Sequence, residues 1–445
     1  MKMQSARNNK KCLSAVIMGL LSCGSVLAYD SNDDSDITRE RQASDYAQQG
    51  VHAGAFTILP KLDFTNQYMS NIYYRDKALG PTTDSYIAHF KPGVQANSNW
   101  NRHALNFKLD TDLALYATQP NNNDYNNIFT KVDGRVDVLR NSHFDSAFGY
   151  NYLTESRGSP DQIGGAAPTI YDTKVIDGFY THTLNRVTAR AGLNAIRYDY
   201  QNVQTSLNTT LLMNTRNHWL YAPEVRLGYL IQPEYEAFVK FQYLDASYDT
   251  LVFSNGVPPS VNQQGQVINP AYNRNSWGYN ALGGIAFDVT GLITGDASIG
   301  YLQRTYEDAR LPQVSGVNGF VNLKWRPTKL TTVNGKVSRV INETTQQGVA
   351  GVFTTGVGMS VQHELMRNVF LQVAGDYSNG IYKGYVAPNT QNRNDNSFII
   401  SAGPKYMLNK NFSTDLTYSY QSRNSNYLDA NYEVNQVMVN FRAQY

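Results

Sequence analysis

From residue 51 to residue 445 the sequence divides into period-two segments whose connections sort by length, and that parity constrains the fold more than any other feature. Arg140-Asn141-Ser142, Leu184-Asn185-Arg186, Gln232-Pro233, Pro327-Thr328, Met366-Arg367-Asn368 and Asn409-Lys410-Asn411 read as tight turns, and they fall at every second connection. The connections between them are long: Met69 to Asp84, Arg157 to Asp172, Gln201 to Asn217, Thr250 to Asn275 and Ser378 to Asn396. A soluble sandwich has no reason to sort its loops by parity. A closed up-and-down barrel, with turns at one mouth and loops at the other, produces this pattern directly.

The segments agree. Leu105, Phe107, Leu109, Thr111, Leu113 and Leu115 alternate with Asn106, Lys108, Asp110, Asp112 and Ala114. Ile128, Thr130, Val132, Gly134, Val136 and Val138 face away from Lys131, Asp133, Arg135 and Asp137. The same reading holds for Glu234 to Asp245 and for Phe412 to Arg423, and helical periodicity appears nowhere at comparable length. About eighteen such segments fit, with sixteen to eighteen admissible, so the expected fold is all-β: a transmembrane antiparallel up-and-down β-barrel. The mean hydropathy of -0.45 argues against helical membrane spans but leaves a barrel open, because only every second strand residue need be apolar.

The last segment places Tyr445, Ala443, Phe441, Val439 and Val437 on one face and Gln444, Arg442, Asn440, Met438 and Gln436 on the other. It resembles the C-terminal signal of outer-membrane barrels, so Val437, Val439, Phe441 and Tyr445 are expected to be read by the barrel-insertion machinery. Placing the tight turns in the periplasm puts both termini there. Tyr150, Tyr152, Trp219, Tyr221, Tyr243, Trp277, Tyr279, Tyr301, Tyr377, Tyr418 and Tyr420 then form an outer aromatic girdle. Tyr229, Tyr235, Phe287, Trp325, Tyr406, Phe412 and Tyr445 form an inner one. This accounts for the 32 tyrosines, whose rings suit lipid and whose hydroxyls suit headgroups and lipopolysaccharide.

Lys2, Arg7, Lys10 and Lys11, then an apolar run from Leu13 to Leu27 and the small-residue site Val26-Leu27-Ala28, read as a secretory signal at residues 1–28. Leu20-Leu21-Ser22-Cys23 resembles a lipoprotein box more weakly. Cys12 and Cys23 are the chain's 2 cysteines, so a barrel at 51–445 carries no disulfide or thiol chemistry. Without the leader's four cations, the 38 basic residues fall to 34 against 36 acidic ones, and nucleic acid is not an expected partner. Residues 29–50 are polar and read as a flexible periplasmic segment. Their Asp30, Asn32 and Asp34 have calcium-loop spacing, but Ser35 stands where glycine is needed and Arg41 where the closing glutamate belongs, so no metal is expected.

Further along, Trp325-Arg326-Pro327-Thr328, Leu330 to Val333, Arg339 and Glu343-Thr344 resemble the outer-membrane β-barrel porins encoded beside capsule and exopolysaccharide genes in proteobacteria. Arg393 with Asp395, Arg423 with Asn426 and Tyr432, Trp100 with Arg102 and His103, and Gly54 with Phe56 and Pro60 add to the likeness. It covers nearly the whole chain after the leader, is looser in the first third, and has no counterpart for Asn255 to Ile268. The resemblance implies a barrel and suggests export of a surface polysaccharide, with periplasmic polysaccharide-export proteins as partners. A general or solute-specific diffusion porin is the alternative.

The water-facing phase is expected to line the pore with Lys108, Asp110, Asp112, Lys131, Asp133, Arg135, Asp137, Arg190, Glu224, Arg226, Lys240 and Arg304. Glu236, Asp296, Lys336, Asp376, Lys405, Asp415, Arg423 and Arg442 share that phase. Both signs are interspersed, which gives either a hydrated channel without strong ion preference or a wall stiffened by ion pairs. Tyr198, Tyr200, Tyr248 and Tyr306 fall near the outer mouth, as sugar-stacking rings or as ordinary rim tyrosines. The loop Thr250 to Asn275, with Pro258, Pro259 and Pro270, reads as a constriction or as an exposed loop. The seven histidines are scattered, and no Gly-x-Ser-x-Gly, His-Glu-x-x-His or phosphate loop is present, so neither catalysis nor a cofactor is expected. An outer-membrane hydrolase and a secreted β-sandwich binding protein are the rivals from other classes.

Overall fold

A computed structural model describes residues 46–384, 392–427 and 429–445. The leader and most of the polar segment after it, including the calcium-like spacing, lie outside the described residues. Eighteen long strands form one closed antiparallel sheet. They are β1 Phe56–Met69, β2 Ser85–Ser98, β3 Ala104–Tyr116, β4 Tyr125–Leu139, β5 Ser142–Thr154 and β6 Ile170–Leu184, then β7 Val187–Tyr200, β8 His218–Gln232 and β9 Tyr235–Tyr248. The second half continues with β10 Ser276–Val289, β11 Ile293–Tyr306, β12 Val314–Trp325, β13 Thr331–Asn342, β14 Gly351–Met366, β15 Val369–Lys383, β16 Asn394–Met407, β17 Phe412–Ser425 and β18 Tyr432–Gln444. β18 closes on β1, from Lys61 opposite Gln444 to Met69 opposite Gln436, and a short strand Val51–Ala53 covers the remaining edge of β1.

Connection length sorts by parity as the sequence requires. Residues 140–141, 185–186, 233–234 and 367–368 turn tightly at one mouth, while 70–84, 155–169, 201–217 and 249–275 form loops at the other. β15 runs to Lys383, past the Ser378 expected as its end, because Asn379, Gly380 and Ile381 continue the ladder with β16. Along each strand the apolar set faces outward: Phe107, Val132, Val225, Phe241, Ile299 and Val357 are all exposed. Outward apolar side chains around a closed sheet are what lipid demands, with backbone groups paired strand to strand inside the wall.

One stretch of the wall departs from this pattern. The ladder between β12 and β13 runs only from Trp325 opposite Val333 to Gly319 opposite Arg339, so Val314–Asn318 have no partner strand on that side. β13 and β14 stay paired through Asn342 opposite Val352. The tip of this hairpin therefore tucks inward as a unit, and Ile341, Ala350 and Phe353 pack on Ala222, Leu244, Leu302, Tyr306 and Val314.

Candidate functional site

The lumen is the candidate site. Its lower and middle wall carries the charges that the sequence placed there, joined to neighbours along the wall rather than across the pore. Lys61 and Lys108 reach Asp110 at 3.0 and 3.3 Å, and His89 and Lys91 reach Asp112 at 2.8 and 3.5 Å. Lys131 pairs with Asp133, Arg135 with Asp137, and Arg226 with Glu236, at 3.4, 2.9 and 2.6 Å. Glu224 takes both Arg190 at 3.5 Å and Lys240 at 3.2 Å. Lys336 and Asp376 meet at 3.1 Å, and Arg442 and Asp63 at 2.6 Å. Most of these pairs join residues two apart on one strand or on adjacent strands, while Lys61–Asp110 and Lys336–Asp376 reach across Gly93 and Gly358 of the strand between, because period-two alternation delivers every such side chain to the same face.

The outer lumen is built from loops that fold inward. Residues 155–169 enter first, anchored where the Glu155 carboxylate accepts two hydrogen bonds from Arg216, each 3.0 Å long. Arg157 donates to the carbonyls of Asn122 and Ala166 at 3.0 and 2.9 Å. Gly158 lies flat on the Tyr74 ring, where a Cβ would stand 2.8 Å from ring carbons, and its carbonyl accepts from Arg423. The loop then meets residues 343–350 inside the barrel. Asp161 accepts from the Thr344 hydroxyl at 2.6 Å and the Thr345 amide at 3.1 Å, while Gln346 donates to the Pro160 carbonyl at 2.7 Å.

The tucked hairpin is held from the neighbouring wall as well. Arg274 is 1% exposed and donates to the carbonyls of Gln346 and Val349 at 2.7 and 3.0 Å, and Arg304 pairs with Glu343. Between the tip and the wall remains a cavity of about 30 Å³, lined by Ile196, Leu220, Ala222, Leu244 and Ile341, room for little more than a water or two. Burial in this junction pushes the Asp161 carboxyl up, with Arg216 and the two threonine hydrogen bonds acting against it.

The expected mouth tyrosines come together, with neighbours that the sequence reading did not join to them. Tyr171, Tyr200, Tyr198, His218 and Tyr248 form a stacked ladder, with His218 4.9 Å from Tyr198 and 4.5 Å from Tyr248. Arg216 caps Tyr200 at 4.1 Å. Loop 201–217 packs on Tyr200 through Val203, Leu211 and Met213, Tyr248 packs on Val252, and Tyr306 is buried in the apolar cluster of the tucked hairpin. As open sugar platforms these rings are corrected by the structure: their faces lie against one another or under a loop. The inward segment also differs from one reading of Thr250 to Asn275. That loop builds two small hairpins of its own, Val252–Phe253 with Ala271–Tyr272 and Ser260–Val261 with Val267–Ile268; the second leaves Val261 and Val267 exposed, while Tyr272 and Arg274 at the loop's end reach the tucked tip. In the last strand Val437, Phe441 and Tyr445 are exposed outward and Val439 is half-buried.

Sequence reasoning missed the junction because loops carry no periodicity. A trace of it lay in the residues that carried the family resemblance: Glu343 and Thr344 lie in the junction, Arg423 holds Gly158, and Arg393 makes a buried pair with Asp395 at 2.7 Å.

A closed, lipid-facing barrel with a polar lumen and inward loops defines a porin-like outer-membrane protein. The chain belongs to the family described as "Putative beta-barrel porin 2", which matches residues 43–445. Among solved structures it is similar to Pseudomonas aeruginosa OpdO, at 11% identity and a TM-score of 0.43, covering 87% of this chain and 97% of that one. It is also similar to Acinetobacter baumannii OccAB4, at 9% identity and a TM-score of 0.44, covering 89% and 99%. No curated protein matches the chain.

Proposed function

We propose that the chain is a diffusion porin for small polar solutes, set in the outer membrane with both termini in the periplasm, whose aperture is governed by residues 155–169 and 343–350. The observation that carries this reading is the meeting of those two segments inside a lumen whose wall charges neutralise one another in place. A wall of alternating sign keeps water in the pore without a ring of one charge that would select an ion. An aperture crossed by two loops suits a small solute better than a polymer strand, so polysaccharide export gains no support from the lumen. Lipopolysaccharide around the outer girdle and the insertion machinery at the C-terminal strand remain the partners of this reading.

The test is reconstitution in planar bilayers and in swelling liposomes. Purified protein should conduct salt without a partner and admit a disaccharide while excluding a dextran. Silence in both assays, with loss of surface polymer on gene deletion, would sink the porin reading and return export to first place.

A further inference from the structure

The stretch between β12 and β13 is sealed by a different chemistry from the rest of the wall. Below Gly319 and Arg339 the two strands are joined by a backbone ladder. Above that point the edge of β12 overlaps the tucked β13–β14 tip; at the wall the overlap is closed by apolar contact, Ile341, Ala350 and Phe353 against Val314, Leu302 and Tyr306, while Arg274 and the Arg304–Glu343 pair hold the tip on its lumen side. A Cβ added to Gly316 would stand 2.7 Å from the Phe353 ring, so the absence of a side chain there is what lets the overlap close. The unladdered edge is bridged by one side chain, with Arg339 donating to the Val317 carbonyl at 3.1 Å and to the Thr355 hydroxyl at 3.2 Å.

The overlap has two ends. On the inside, its apolar cluster borders the small cavity against Ala222, Leu244 and Ile341, whose lining also includes the polar Arg304 and Glu343. On the outside it emerges beside Val317, which is 54% exposed and stands opposite Tyr301 of the outer aromatic girdle. A backbone ladder cannot be parted without leaving amides unpaired in lipid, at a cost of several kcal/mol for each group. An apolar overlap parts without that cost when an apolar solute takes the place of the side chains it separates.

We infer that this overlap is a lateral port, through which an apolar or amphipathic small molecule passes between the lumen and the outer leaflet. Phe353 is its gate leaf, Gly316 its seat and Arg339 the bolt across its outer lip. The role is separate from axial passage of polar solutes and does not require that the lumen conduct salt. Conductance and lateral passage can therefore fail independently.

The experiment uses the full-length protein carrying Gly316→Cys with Phe353→Cys, bridged by a short bifunctional maleimide or treated with N-ethylmaleimide as control. Cells are given N-phenyl-1-naphthylamine, an apolar dye that fluoresces on entering the outer membrane, and the purified protein is examined in planar bilayers. Bridging should return the dye rate to that of cells lacking the protein while salt conductance stays within about twofold of the control. The wild-type protein should raise the dye rate over empty cells, and Phe353→Ala should raise it further. A dye rate unaffected by bridging, or equal in cells with and without the protein, would overturn the port. Parallel loss of dye entry and conductance on bridging would also overturn it, since closure of the axial pore then explains both. Wild-type protein that lacks conductance in bilayers but admits dye in a bridge-sensitive way would sink the porin reading and leave the port standing.

Discussion

In the lower wall, Arg135 and Asp137 pair at 2.9 Å with side chains 43% and 29% exposed; in the outer lumen, Arg216 and Glu155 pair at 3.0 Å with side chains 6% and 9% exposed. The two contacts use the same kinds of group and do different work. The first lies in water, where screening and side-chain entropy leave an ion pair worth little, so it sets the local field of the pore. The second has lost its water, so each partner depends on the other and a whole loop depends on both. On the porin reading, charge at the turn-side mouth tunes what passes, and charge at the loop-side mouth holds the loops in place.

The sharpest way to break this contrast is Arg216→Leu, which strands a buried carboxylate and should cost the packing of loop 201–217 about 3–5 kcal/mol. Hydrogen exchange over residues 203–216 should accelerate strongly, and exchange at the wild-type rate would erase the distinction. The double change Arg216→Leu with Glu155→Leu should recover most of the loss, because a buried pair adds little beyond a well-packed apolar replacement. Next in size, Asp161→Ala removes the acceptor for Thr344 and Thr345 and should weaken the junction by about 1–3 kcal/mol. Single-channel records should then show a higher open probability.

The same carboxyl supplies a pH test. Docked, Asp161 has its affinity for a proton raised by burial, facing Glu155 and Arg216 as well as the two threonines; undocked, it has the ordinary carboxyl value. The docked state therefore binds the proton more tightly, and docking gains as pH falls through the range between the ordinary and the raised value. Open probability should decline on that acid limb, and Asp161→Asn should flatten it; an unchanged profile in the variant would assign the titration elsewhere. The smallest effect belongs to Arg135→Gln, expected to alter stability by less than about 1 kcal/mol and conductance only slightly. A large loss there would show that the lower wall is a scaffold after all.

The barrel was legible because period-two alternation and turn length are local properties of the chain. Arg135 and Asp137 were placed on one face of their strand by counting, and the two side chains pair at 2.9 Å. The outer lumen was not legible in the same way. Asp161 and Thr344 lie 183 residues apart and in loops without periodicity, so nothing local joins them. The ladder of Tyr198, His218 and Tyr248 was half visible: counting put the tyrosines at one mouth but could not show that His218 lies between two of them or that loop 201–217 packs on Tyr200 beside them. The inward bend at Asn342 also follows a run of good strand residues, Val337 to Ile341, and comes from contacts with the adjoining wall, β8 to β12, rather than from the sequence of β13.

The short ladder between β12 and β13 has a mechanical corollary. Elsewhere a force along a strand loads many backbone hydrogen bonds together, in shear. A force drawing residues 343–350 outward would load the end of the β12–β13 ladder, at Gly319 and Arg339, one bond at a time, in peel. The barrel thus has a built-in weak direction, and a tip-pulling measurement should find first rupture there, at a lower force than at any complete wall pair.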